Sequence, residues 1–258
     1  MKESLLVLYE VSEGRATITI DDPERRNPMS VETMAGLLEA TGAAIDDPEV
    51  RVLVYTGAGD RAFSAGGDLT QSFVDDPLGL HRARGALADL FRLMRSGGKP
   101  TVARVNGHAL AGGFGLAVAC DVTICVEDAR LGATEVKVGL WPMMISALLI
   151  RVMPPKAVLE LMLTGRTIDP YEAQRLGAVS RVVSREDLDP AVTETVEALM
   201  TNSPATAMIG RDSFYGIADL DFDSALDRLQ TGLTAIAMTE DAAEGVSAFL
   251  EKREPEWK

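Results

Sequence analysis

Apolar positions alternate in two stretches near the start of the chain, LLVLYE at residues 5–10 and RATITI at 15–20, with Glu13-Gly14 between them. A period of two turns one face inward, and a short turn between two such runs predicts a β-hairpin. Asp21-Asp22-Pro23 ends the second strand, and ERRNPMS reads as a loop. Ser30 stands at an N-cap position ahead of a helix over 31–45, which Asp47-Pro48 closes. RVLVYTG follows as a nearly continuous apolar run, the pattern of a strand buried on both faces. After the glycine-rich GAGDRAFSAGGDL, residues Leu80, Leu87, Leu90, Phe91 and Met94 recur at helical spacing over 77–94. Ser96-Gly97-Gly98 stops that helix. Strand TVARV, the turn NGHALAGGFG, a helix from Gly112 to Ala119, strand DVTICV and the segment ARLGATEVKVG complete the first half.

From residue 145 onward the strand pattern almost vanishes. Helical spacing covers 145–153, 155–163 and 170–176, then a short strand at 179–183, then helices over 187–201, 204–217, 224–238 and 240–252. Strand and helix in alternation, followed by helices alone, predicts an α/β core with a helical extension. No fixed-period repeat and no low-complexity linker interrupts the 258 residues, so an extension fits better than a separate second domain.

Composition narrows the classes. Hydrophobic residues make up 47%, as in a folded globular chain. Apolar runs such as 143–150 fall far short of the ~20 residues that span a bilayer. The start MKESLLVLYEVSEG has no basic region, long apolar stretch or small-residue cleavage site, so no signal peptide and no membrane are expected. Net charge is 25 − 39 = −14, which repels phosphate backbones and disfavours nucleic acid as a partner. It would repel an anionic ligand as well, unless local cations or helix N-termini overcome the field. Cys120 and Cys125 match no metal or redox spacing and read as buried small hydrophobes in a reducing cytosol, hence a cytoplasmic location. His81 and His108 cannot form a His-rich metal site, and no metal is expected. His108 reads as structural or solvent-facing ahead of catalytic.

Three segments could carry chemistry. In AFSAGGDL, consecutive glycines after a strand permit positive φ and leave amides uncovered, although a Gly-Gly turn is usually only a turn. In NGHALAGGFGLAVACD, a helix beginning near Gly112 offers free N–H groups and the positive end of its dipole. Together the two could aim paired donors at one oxygen. In LGATEVKVGLWPMM, Glu135 is the lone acidic residue in a small or apolar run. Desolvation there would raise its pKa toward the range useful for proton transfer. A surface pair with Lys137 is an equal reading. Asp68 and Asp121 each follow a turn or helix end and read as structural.

In this order and spacing, FSAGGDL, VNGHALAGGFGLAVACD and GATEVKVGLWP resemble the crotonase superfamily, the enoyl-CoA hydratase/isomerase family. The resemblance covers essentially the whole chain, from DPERRNPMS through LTGRTIDPYEAQRLGAVSRVV to EGVSAFLEKREPEW. It implies a spiral of ββα units, here residues 1–195, and a helical region, 196–258, that drives trimerisation, often as a dimer of trimers. It implies that Gly67 and Gly112 bind a thioester carbonyl and stabilise an enolate. CoA, part of the substrate and the sole cofactor-like group implied, would lie near Arg25, Arg26, Ser64 and Ala65. Phe249 and Lys252 would reach CoA bound to a neighbouring subunit, Lys252 supplying a local cation.

Hydratases of this family usually carry two glutamates. The position of the first is Gly115 here, within the expected substrate site, and that of the second is Glu135. Two carboxylates divide the tasks of holding and activating water; one carboxylate can shuttle a proton between neighbouring carbons. Hydration and double-bond isomerisation are therefore both implied, with a catalytically weak acyl-CoA-binding scaffold as the reading from another class. Leu140, Trp141, Pro142 and Met143 replace a glycine-rich run of many relatives and would reshape the acyl pocket toward a branched, short or aromatic acyl group. Met143 and Met144 as core filler is an equal reading.

Overall fold

The computed structural model describes residues 6–70 and 77–257, without the side chains of 77–80 and 82–84, so that of Leu80 lies outside the described residues. The chain opens with the expected hairpin, β1 (Val7–Ser12) antiparallel to β2 (Arg15–Ile20). Its two turn residues, Glu13 and Gly14, have φ of 51° and 79°. Two consecutive positive φ values mark a turn whose twist matches that of paired strands.

The core then repeats one path. A strand enters a large sheet, a very short strand enters a small sheet, and a helix returns the chain. The large-sheet strands are β2, β4 (Val52–Gly57), β7 (Thr101–Val105) and β9 (Val122–Val126). The short strands are β3 (Pro28–Met29), β5 (Ala62–Ser64) with β6 (Gly66–Gly67), β8 (His108–Leu110) and β10 (Leu131–Gly132). The helices are α1 (Val31–Asp46), α2 (Pro77–Ser96), α3 (Gly112–Ala119) and α4 (Met143–Val152). The large sheet runs β1-β2-β4-β7-β9-β11, with β11 at Arg181–Val183, and is parallel from β2 onward. β10-β8-β5 form a second parallel sheet and β3-β6 a third. This is the mixed α/β spiral of ββα units expected from the sequence. β5, β6 and β8 lie inside stretches that read as glycine turns, β3 in the ERRNPMS loop and β10 in ARLGATEVKVG; at two or three residues each they carry no periodicity to read.

Ser30 caps α1, its Oγ accepting from the Thr33 amide at 3.1 Å. Two buried asparagines fasten the loops. Asn27, at φ 56°, accepts from the Asp22 amide at 3.0 Å and donates to the carbonyls of Ala58 and Ala62 at 3.0 and 2.7 Å. Asn106 accepts from the Gly57 amide at 3.2 Å and donates to the carbonyls of Gly57 and Gly59 at 2.8 and 2.7 Å. Both amides gather backbone groups that would otherwise be buried without partners.

Helices α5 (Pro155–Thr164), α6 (Pro170–Arg175), α7 (Leu188–Met200), α8 (Pro204–Gly216), α9 (Phe222–Ala237) and α10 (Glu240–Glu251) finish the chain. The division expected after residue 195 falls inside α7, which packs on β4, β7 and β9. No residue of α8 or α9 is buried. Phe222, Leu233, Met238, Phe249 and Leu250 are exposed by 68–83%. No described helix is long and apolar enough to cross a membrane. Cys120 and Cys125 are buried free thiols, and Asp121 has the structural role expected of it. Its carboxylate accepts from the Thr101 amide at 2.7 Å, from Tyr215 Oη at 2.5 Å and from Arg211 Nε at 2.8 Å. Arg211 also donates to the carbonyls of Met94 and Arg95, at 2.6 and 2.8 Å, so this pair joins α8 to α2 and the sheet.

The Arg211 and Asp121 side chains retain only 8% and 21% exposure. Asp121→Ala would leave a guanidinium largely buried without its counter-charge, and should lower stability by about 3–5 kcal/mol in chemical denaturation.

Candidate active site

Two glycine turns meet backbone to backbone. Gly66, at φ +87°, approaches residues 110–112 so closely that a Cβ there would lie 2.7 Å from Ala111 Cβ, 2.8 Å from the Leu110 carbonyl oxygen and 3.0 Å from the Gly112 nitrogen. A Cβ on Gly113 would likewise lie 2.5 Å from the Ser64 carbonyl oxygen. Sequence reasoning named the neighbours, Gly67 and Gly112, and missed this interlock; the doubled glycines were its visible sign. Gly67 has open space about its Cα. Gly112 opens α3, whose first intrahelical bond is Gly115 N–H to Ala111 C=O at 3.1 Å, so its own amide has no acceptor within the helix. Ala111 precedes it at φ 50°, ψ −125°, backbone that a residue with a Cβ rarely adopts.

Both glycines line a cavity of about 510 Å³, and so do Ala65, Glu135, Leu140, Trp141, Pro142 and Met143. The structure thus gathers seven of the twelve residues assigned to the site by sequence, together with Leu140. Met29, Val31 and Met34 from β3 and α1, Leu87 from α2 and Ile145 from α4 complete most of an apolar wall. These come from elements distant in sequence, and no local motif marks them.

Five assigned residues lie outside the lining. Ser64 is fully buried and its Oγ accepts from the Gly66 amide at 3.2 Å, so it shapes the turn. Arg26 is exposed in a left-handed conformation, φ 68°; its carbonyl accepts from the Ala65 amide at 2.9 Å, and its side chain has no ion-pair partner among the described residues. Gly115 is buried behind Ile145. Phe249 and Lys252 are exposed at the end of α10. Arg25 is already engaged, with Asp22 at 2.6 Å and Asp68 at 2.9 Å.

The cavity wall carries two carboxylates in opposite surroundings. Asp68 accepts from the Thr70 hydroxyl and amide at 2.6 and 2.9 Å and from Arg25. The Thr70 bonds, followed by Arg25, hold its carboxyl below the ordinary range. Glu135 opens a 3-10 turn, Glu135–Val138, which Gly139 closes at φ 75°. Among the described residues it makes no ion pair, with Lys137 or any other, and its buried Oε2 has no hydrogen-bond partner. Burial pushes its pKa up, partly offset by its own backbone amide. Carboxyls driven apart in this way divide naturally into a fixed anion and a proton carrier.

A family profile described as enoyl-CoA hydratase/isomerase matches residues 10–258. The chain belongs to the enoyl-CoA hydratase/isomerase family. A Thermus thermophilus protein provisionally named an enoyl-CoA hydratase is 37% identical over 252 residues, 96% of this chain and 99% of that one. Carnitinyl-CoA dehydratase of Salmonella typhimurium is 34% identical, covering 93% of this chain and 94% of the relative. Among solved structures, an enoyl-CoA hydratase of Mycobacterium smegmatis matches with a TM-score of 0.93 at 33% identity, over 98% of each chain. For this family member, the raised pKa of Glu135 has a signed consequence. Ionising Glu135 opposes folding at neutral pH and costs nothing once the group is protonated in both states. Glu135→Gln should therefore melt at or above the wild-type temperature at pH 7, with the difference gone below about pH 4; calorimetry across pH checks this.

Proposed function

We propose that the chain is an acyl-CoA-processing enzyme of the enoyl-CoA hydratase type, with Glu135 as its proton carrier. The observation that carries this is the buried, unpartnered Glu135 Oε2 in one apolar cavity with Gly67 and Gly112. The thioester carbonyl sits between the two glycine amides, which stabilise the enolate. Glu135 takes a proton from water as the water oxygen bonds to C3, and returns a proton to C2. The relatives named dehydratases support the same step run in reverse. An apolar acyl chain fits the Met- and Trp-lined wall, and Arg26 offers a cation for the CoA phosphates.

Two further features belong to this proposal. The apolar surface of α9 and α10 is covered in a homotrimer or a dimer of trimers, which would bring Phe249 and Lys252 to a neighbour's CoA. The buried free thiols suit a cytoplasmic enzyme. The second reading is isomerisation between 2-enoyl and 3-enoyl thioesters, favoured by Gly115, since proton exchange between C2 and C4 needs no held water.

Incubation of a panel of 2-enoyl- and 3-enoyl-CoA esters in heavy-oxygen water separates the two. Label at C3 means hydration, and double-bond movement without label means isomerisation. Glu135→Gln should lower kcat/KM by about 10²–10⁴-fold with CoA-ester binding intact; full activity would refute the role given to Glu135. Binding without turnover on any ester would leave a scaffold.

A further inference from the structure

Gly115 is more than a missing carboxylate. A Cβ built on it would overlap the Ile145 Cγ2 methyl, lie 2.9 Å from Ile145 Cβ and 3.3 Å from Phe91 Cζ. Ile145 is 2% exposed, belongs to α4, and itself lines the cavity that holds Glu135. Helices α3 and α4 therefore pack through a glycine on one and a β-branched side chain on the other. An isoleucine has few rotamers with which to retreat, and a close-packed core transmits the strain. The volume through which a side chain at 115 would enter the site is already filled, and filled with hydrocarbon.

We propose that Ile145 is the residue that sets this site to a single carboxylate, and that the Gly115–Ile145 pair governs how the enzyme partitions between adding water and moving a proton without it. This rests on the Glu135 reading above. Water addition forms the O–C3 bond, shifts the C2–C3 π pair into the enolate, passes a water proton to a carboxylate and delivers a proton to C2. With Ile145 in place, no side chain from α3 reaches the water, and Glu135 alone must position it and move its proton. Shortening Ile145 opens the volume; a carboxylate at 115 can then share the water.

The test has two parts. In the first, Gly115→Ala is made in wild-type and Ile145→Ala backgrounds and melting temperatures are compared. In the wild-type background it should lower Tm by at least about 3 °C. In the Ile145→Ala background it should cost nothing. Equal losses in both would overturn the packing claim, whatever reaction the enzyme performs. In the second, Gly115→Glu and Gly115→Glu/Ile145→Ala are assayed with but-2-enoyl-CoA in heavy-oxygen water. The double variant should incorporate label at least tenfold faster than wild type and than Gly115→Glu alone. An equal gain from Gly115→Glu alone, or no gain from a folded double variant, would overturn the role of Ile145. If the double variant does not fold, the shorter Gly115→Asp/Ile145→Ala takes its place with the same expectation, and an absent Tm coupling in the alanine pair overturns the role of Ile145 by itself. Unchanged turnover in Glu135→Gln would defeat the Glu135 reading by itself and leave the Tm comparison standing.

Discussion

Residues 64–67 and 110–113 touch backbone to backbone, and the cavity exists because nothing larger than hydrogen stands between them. Gly66 and Gly113 allow the approach, and any Cβ at either would strike a main-chain atom. The interlock brings Gly67 and Gly112 into one wall although 45 residues separate them in sequence. It also explains the work done around it. Asn27 and Asn106 hold the preceding loops through buried amides, and Ser64 turns its hydroxyl back onto Gly66. The unusual backbone of Ala111 is tolerated because its amide is bonded to Gly132 at 2.8 Å and the helix begins at once.

Electrostatics of the cavity follow from which groups this frame leaves partnered. Arg25, a cation expected at the ligand, is instead bound to Asp22 and Asp68 and fixes the turn that carries Gly67. The Thr70 bonds, followed by Arg25, hold the Asp68 carboxyl below its ordinary range. Glu135 sits among methionines, leucines and a tryptophan, where burial raises its pKa and only its own backbone amide offsets the cost of ionising it. On the proposed reading, that single perturbed carboxylate moves protons beside an enolate held by the two glycine amides.

Packing, too, bears on chemistry. Close contact of α3 with α4 depends on the absence of a side chain at 115, the position where the family resemblance leads one to expect a first glutamate. The distribution of exposed apolar residues has a parallel logic. Helices α8 and α9 bury no residue; the Asp121–Arg211 pair fastens α8 to the core, and the Ser203–Asp241 bond at 2.6 Å joins the start of α8 to α10.

The sequence by itself determined the elements and their order. Period-two alternation, the Glu13-Gly14 turn, the Ser30 cap and the proline-started helices all express local backbone preference, and the observed bounds differ from the expected ones by a residue or two. It also determined the family and the neighbourhood of Glu135, Gly67 and Gly112, because a lone carboxylate in an apolar run and doubled glycines after strands are local signals. Tertiary structure alone decided the rest. The short strands depend on partners from other turns of the spiral; Met29, Met34 and Leu87 meet the cavity through long-range packing; Arg25 and Ser64 are tied into the scaffold by contacts 43 and two residues away. Whether Glu135 paired with Lys137 or lay buried was open in sequence, since both neighbours fit one surface turn. The fold answered it by closing an apolar wall over one oxygen and leaving it without a partner.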